Sequence, residues 1–205
     1  MLSDGAIAVV LLSCLGFFIL INSWNIVFRR KESISKRSSA LNPSGVALGM
    51  VAVGTLAYFF ELFAYCFLVL GGFAFINPLS RQFESYISVV LQFFGLCLTL
   101  AGYLVFNWSV IARGRYAVSW SMSENHRLVT SGPYRYVRHP SYLGYILMFV
   151  GLPLMLLNPI ALIPLVGVPG YYFVTSQEER LLVEHFGEQY VEYRKRTGRF
   201  LPKIR

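Results

Sequence analysis

The sequence predicts an all-α integral membrane protein of five transmembrane helices, the last two forming a hairpin that leads into an amphipathic C-terminal helix. Two observations predict it. Of 205 residues, 56% are hydrophobic and only 14% charged, and the apolar residues fall in blocks able to cross about 30 Å of hydrocarbon, which takes about 20 helical residues. Five spans also put 17 of the 18 lysines and arginines on one side, whereas four would set loops of equal charge on opposite sides. The positive-inside rule then predicts an N-terminus outside and a C-terminus in the cytoplasm.

The first block, 5–28, ends at Phe28-Arg29-Arg30-Lys31. It lacks the basic start of a signal peptide and is too long for one, so it is expected to be a retained span. The second covers 45–76, with Gly71-Gly72 as a break near its end, and the third covers 85–111, closed by Arg113. Two shorter segments, 141–157 and 159–176, meet at Asn158-Pro159. Proline disfavours helix in the residue before it, which makes that junction a tight turn. Pro153, Pro164 and Pro169 predict kinked or partly unwound helices around it. From 177 to 196, Leu182, Phe186, Tyr190 and Tyr193 recur at helical spacing, the pattern of a helix lying at the cytoplasmic interface.

The net charge of +8 sits in loops between spans, so it reads as topology and attraction to anionic headgroups, with no nucleic-acid partner expected. Cys14, Cys66 and Cys97 lie within apolar blocks without paired spacing, and neither they nor the histidines form a metal-ligand set. Glu61, in the second span beside Tyr58 and Tyr65, reads as an interhelical hydrogen-bond partner or, as in transporters, a group on an ion path.

Two polar clusters flank the apolar hairpin. The first, His126-Arg127-Leu128-Val129-Thr130-Ser131-Gly132-Pro133-Tyr134, runs on to Arg138-His139-Pro140-Ser141-Tyr142. It contains a turn signal and a helix start at which Ser141 fits a cap, leaving free backbone donors suited to an anion. An interfacial loop whose Arg and Tyr reach headgroups explains the same residues. The second cluster is Glu178-Glu179-Arg180. Thr175-x-x-Glu178 and Ser176-x-x-Glu179 fit capping boxes, yet adjacent carboxylates at a membrane border also call for a cationic or hydrogen-bonding partner. Because a hairpin returns its ends to one surface, the two clusters are expected to meet.

The order Arg138-His139-Pro140-Ser141-Tyr142, Asn158-Pro159, Glu178-Glu179-x-x-Leu182 and Phe186-Gly187-x-x-Tyr190-x-x-Tyr193 resembles the isoprenylcysteine carboxyl methyltransferase family in its short, prokaryotic or archaeal-type form. The resemblance covers about residues 124–202; phospholipid N-methyltransferases and sterol reductases share parts of it. It implies transfer of a methyl group from S-adenosyl-L-methionine to the carboxylate of a C-terminal prenylated cysteine, or another lipid-tailed carboxylate. The cofactor would be held by His126, Leu128, Val129, Tyr134, His139, Pro140, Ser141, Tyr142 and Glu178. Where eukaryotic members of the family carry an arginine that orients the substrate carboxylate, this chain has Val174; Arg138 or Arg180 would substitute. Residues 1–112 would then be a three-helix transmembrane part and 113–205 the catalytic part, its site facing the cytoplasm from the cell membrane of a prokaryote or the endoplasmic reticulum of a eukaryote. No G-x-G-x-x-G turn offers a Rossmann route to the cofactor. Phospholipid N-methylation, and a non-enzymatic scaffold or transporter, are the alternatives.

Overall fold

Apolar blocks of this length satisfy their backbone internally as helices, and the computed structural model shows them so, describing residues 3–29, 37–40, 44–73, 86–114, 121–123 and 127–203. Helix α1 (Asp4–Trp24) starts where the Ser3 hydroxyl accepts from the Ala6 amide at 3.2 Å, and Asp4 complements its positive end. A π-helical turn, Asn25–Arg29, follows it. Helix α2 (Gly45–Leu70) is capped in the same way by Ser44 and ends at Gly71-Gly72, the expected break. Helix α3 spans Tyr86–Arg113. A short antiparallel ribbon, β1 (Arg37–Ala40) with β2 (Ser121–Ser123), joins the two long loops. It is a small addition to the helical reading.

The C-terminal hairpin is α4 (Pro140–Leu156), a 3-10 segment (Pro159–Val166) and α5 (Gly167–Phe186), followed by α6 (Glu188–Arg196). The turn falls where Asn158-Pro159 places it: Leu157 is left-handed at φ 50, and the Asn158 side chain accepts from the Ile160 amide at 2.9 Å. Pro164 cannot donate and crowds the carbonyl four residues back, which accounts for the tighter 3-10 turns before α5.

Four stretches are long and apolar enough to cross a membrane: Asp4–Val27, Gly45–Leu70, Tyr86–Arg113 and Pro159–Phe186. The fourth predicted span, α4, has 17 residues. At 1.5 Å per residue it rises about 25 Å, short of the full hydrocarbon thickness. Phe17, Leu20, Leu56, Phe60, Phe67, Phe93 and Leu104 are each more than half exposed, as a lipid-facing surface requires. The chain is an integral membrane protein. Its core, with Tyr58, Leu62, Phe149, Leu152 and Val174 fully buried, draws on all of α1 to α5, with Leu11 from α1 and Tyr103 from α3. Helix α4 packs closely on α3, because glycines seven residues apart face each other across the seam, Gly95 and Gly102 against Gly151 and Gly144.

Four local expectations are corrected. Ser141 does not cap α4: His139 occupies the cap and Pro140 the first helical position, where a missing N–H costs nothing. No capping box forms at Thr175 or Ser176, because α5 runs unbroken through both. Their hydroxyls donate instead to the Tyr172 carbonyl at 2.8 and 3.0 Å. The amphipathic stretch is therefore not one separate helix from 177. It is the end of α5 plus α6, divided at Gly187, whose φ of 54 favours glycine. Glu61 is also not satisfied as expected. It is buried with Oε2 lacking a hydrogen-bond partner, while Tyr58 and Tyr65 donate to Tyr103 and Asp4.

Candidate active site

The loop before α4 enters the site through a 3-10 turn, Gly132–Arg135, at the predicted turn. Leaving that turn, the chain pairs with its own C-terminal tail: the Arg138 amide donates to the Gly198 carbonyl at 2.8 Å and the His139 amide to the Arg199 carbonyl at 3.1 Å. The start of α4 is thus tied to residues sixty positions away.

Glu179, on a buried face of α5, is the hub. Arg138 Nε donates to its Oε1 at 2.8 Å, His139 Nε2 lies 3.2 Å from the same oxygen, and Arg199 and Arg194 approach Oε2 at 3.4 and 3.7 Å. Side-chain exposure is 4% for Glu179 and 9% for Arg138. The carboxylate therefore sits among three guanidinium groups in a site with little water, where charge-assisted bonds are strongest. The Arg138 guanidinium also donates to the Thr197 carbonyl, which fastens the tail.

Glu178, one residue earlier, faces the other side of His139, with Oε2 3.6 Å from Nδ1. The imidazole is stacked on Tyr142, interplanar angle 6° and centroids 5.8 Å apart. Tyr142 in turn meets Tyr171 of α5 at 5.0 Å. The two polar clusters of the sequence therefore converge on His139. Tyr134 is buried beside them, and Ser109 and Ser141 approach its hydroxyl without completing a hydrogen bond. Burial pushes the Tyr134 phenol above its ordinary pKa, so it remains a neutral donor.

Leu128 and Val129 are half-buried in the loop, and Pro140 is buried at the start of α4. His126 lies outside the described residues. Of the two arginines proposed for the substrate, Arg138 is held by Glu179 and the tail, while Arg180 is exposed on α5. Val174 is fully buried in the core. Tyr193 belongs to the motif, but sequence reasoning passed over Thr197, whose hydroxyl donates to the Tyr193 carbonyl, and Arg199. Only their position in a basic tail could have drawn notice. Tyr193 donates to the Tyr134 carbonyl at 2.6 Å, and burial pushes its phenol up, so it too stays protonated. Tyr193→Phe is expected to lower stability by about 1–3 kcal/mol, the cost of leaving a buried carbonyl unpaired, read as a lower melting temperature in detergent.

A cleft of about 650 Å³ opens between this loop and α6, lined by Leu128, Arg135, Tyr136, Tyr193, Arg196 and Lys203 among others. Of the predicted cofactor residues that are described, only Leu128 lines it; His139, Tyr142 and Glu178 are not among its lining. Among the described residues no cluster of histidine, cysteine and carboxylate groups suits a metal.

The fold and the paired clusters define a polytopic helical membrane protein, and the phospholipid methyltransferase family model matches its residues 90–189. The chain is 37% identical over 116 residues to protein-S-isoprenylcysteine O-methyltransferase B of Arabidopsis thaliana, covering 54% of this chain and 59% of that protein. It is 35% identical over 123 residues to the Homo sapiens protein-S-isoprenylcysteine O-methyltransferase, covering 59% of this chain and 42% of that one. A solved structure, the eukaryotic intramembrane Ras methyltransferase ICMT, shares the fold over 98% of this chain and 68% of its own, with a TM-score of 0.56 and 22% identity. Over the aligned stretches the chain is similar in sequence to isoprenylcysteine O-methyltransferases, and it shares the fold of a solved one. It spans about three fifths, or less, of the length of these relatives.

Proposed function

We propose that this protein is an S-adenosyl-L-methionine-dependent methyltransferase that esterifies the α-carboxylate of a prenylated C-terminal cysteine, its catalytic part being residues 113–205. The observation that carries the reading is the convergence of Glu178, His139 and Tyr142, with Tyr134 beside them, where the Glu178 Oε2 and Tyr134 hydroxyl oxygens are buried without hydrogen-bond partners. Unpaired buried polar atoms cost about 1–3 kcal/mol each unless a ligand pairs them, so the site fits a polar guest such as this cofactor. Glu178 would accept from its ammonium or ribose hydroxyls, Tyr134 and Tyr142 would present rings to purine or sulfonium, and Leu128 and Val129 would wall the base, with Pro140 and Ser141 at the helix start beside them.

Held by Glu178, Tyr134 and Tyr142, S-adenosyl-L-methionine would supply the methyl group of the ester and be released as S-adenosylhomocysteine. The acceptor carboxyl has an ordinary pKa of about 3.5, so it arrives ionised and the protein needs no general base. What the residues do is align the carboxylate with the methyl and exclude water. The topology we propose has five spans, α4 crossing with α3 as its partner, the N-terminus outside and the site at the cytoplasmic face, from the distribution of basic residues.

Purified protein given labelled cofactor and S-farnesylcysteine should yield label that base releases as methanol. Label transferred instead to phosphatidylethanolamine, which base leaves in place, would make it a lipid N-methyltransferase. Absence of cofactor binding would favour a scaffold or transporter. Glu178→Gln is expected to weaken cofactor binding by about tenfold or more through loss of a charge-assisted hydrogen bond, measured by titration. Unchanged affinity rejects the assignment.

A further inference from the structure

Arg113 ends α3, and sequence and family reasoning gave it no task beyond closing a span. Its backbone is firmly set: the buried Asn25 amide donates at 2.9 Å to the carbonyl of Gly114, whose φ of 52 turns the chain away. The guanidinium carbon lies 5.9 Å from the Tyr134 ring centroid, so the side chain points towards the site and not out to solvent. Its Nε is buried without a hydrogen-bond partner. Among the described residues no ion pair reaches it.

The other cations near the site are spoken for. Arg138, Arg199 and Arg194 gather on Glu179, and Arg180 is exposed. Arg113 lies over the ring of Tyr134, which is buried beside Glu178 and His139, and among the described residues it forms no ion pair with Glu178. The Nε of Arg113, Oε2 of Glu178 and the Tyr134 hydroxyl are three buried polar atoms without hydrogen-bond partners, contributed by α3, α5 and the loop between α3 and α4. A guanidinium in this position is costly unless an anion meets it, and its planar fork matches a carboxylate.

We propose that Arg113 is a specificity-determining residue that receives a ligand carboxylate in this site. The inference rests on the reading above for the ligands available: the prenylcysteine α-carboxylate, or the carboxylate of the methyl donor's methionine moiety. Either would complete Arg113 while Glu178 pairs with a donor or cationic group.

The test uses the full chain in lipid nanodiscs and measures binding, not turnover. Wild-type protein and Arg113→Gln are titrated with S-farnesylcysteine and its methyl ester, and with S-adenosyl-L-methionine and 5′-methylthioadenosine, which lacks the methionine carboxylate. Loss of about tenfold or more in affinity for S-farnesylcysteine, with the ester changed little, assigns the acceptor carboxylate. The same loss for S-adenosyl-L-methionine, with 5′-methylthioadenosine changed little, assigns the donor's. Arg113→Lys, which keeps charge without the fork, should fall between, and it carries the test if the glutamine variant fails to fold. Equal affinities in variant and wild type, or a wild-type protein that binds none of these carboxylates, overturn the proposal. If wild-type protein binds carboxylate through Arg113 but methylates no prenylcysteine, the functional reading fails and this inference stands.

Discussion

Glu179→Ala is expected to be the most damaging single change near the site, lowering stability by about 3–5 kcal/mol, the usual cost of removing one partner from a buried ion pair. Glu179 and Arg138 are both buried, and no other carboxylate lies within ion-pair reach of Arg138 among the described residues. Arg199 would lose an ion pair as well, while the contact to Arg194, whose side chain is 46% exposed, adds little. The C-terminal tail should loosen with the hub, because the guanidinium that fastens the Thr197 carbonyl is then unanchored. Thermal unfolding in detergent gives the stability change, and hydrogen exchange over residues 194–203 shows the tail. A variant with wild-type melting and unchanged exchange would show that the cluster is peripheral. Glu179→Gln keeps one acceptor for Arg138 and should fall between.

Gly151→Leu is expected to prevent stable packing of α4 on α3. Even the first carbon of a side chain at 151 would sit 2.7 Å from the Gly95 carbonyl oxygen and 2.8 Å from the Thr99 amide nitrogen. Both are backbone atoms of a helix and cannot swing aside, so the helices must separate. Gly151→Ala alone should cost about 1–3 kcal/mol, the range for overpacking, and the leucine variant more. Gly49→Leu is the control, since a side chain there meets nothing within 4 Å; it should melt as wild type does. Because α4 carries His139 and Tyr142 at its start, Gly151→Ala should also weaken ligand binding from more than two turns away along the same helix. Equal melting of the Gly151 and Gly49 variants would refute the close seam.

Much of the helical plan is legible in the residues themselves. Long apolar blocks admit one backbone solution in lipid, so α1, α2 and α3 appear close to their expected limits, and Gly71-Gly72 and Asn158-Pro159 mark their turns by local chemistry alone. The motif clusters were legible too, because a hairpin brings its ends together whatever the packing between them. Span α4 was harder. Its apolar content reads as a span, yet Pro140 and the left-handed Leu157 confine it to 17 residues.

Sequence by itself determined that this chain is a helical membrane protein with Glu178 and Tyr142 brought to one end of a hairpin, since composition and periodicity act locally. Tertiary structure alone decided which of two neighbouring glutamates is paired with arginines. Glu178 and Glu179 are neighbours in the chain, but on a helix they point about 100° apart: Glu179 meets Arg138, Arg199 and the tail, while Glu178 faces the other side of His139. No spacing rule reveals that division, because the cations that make it come from the loop before α4, from α6 and from the tail after it.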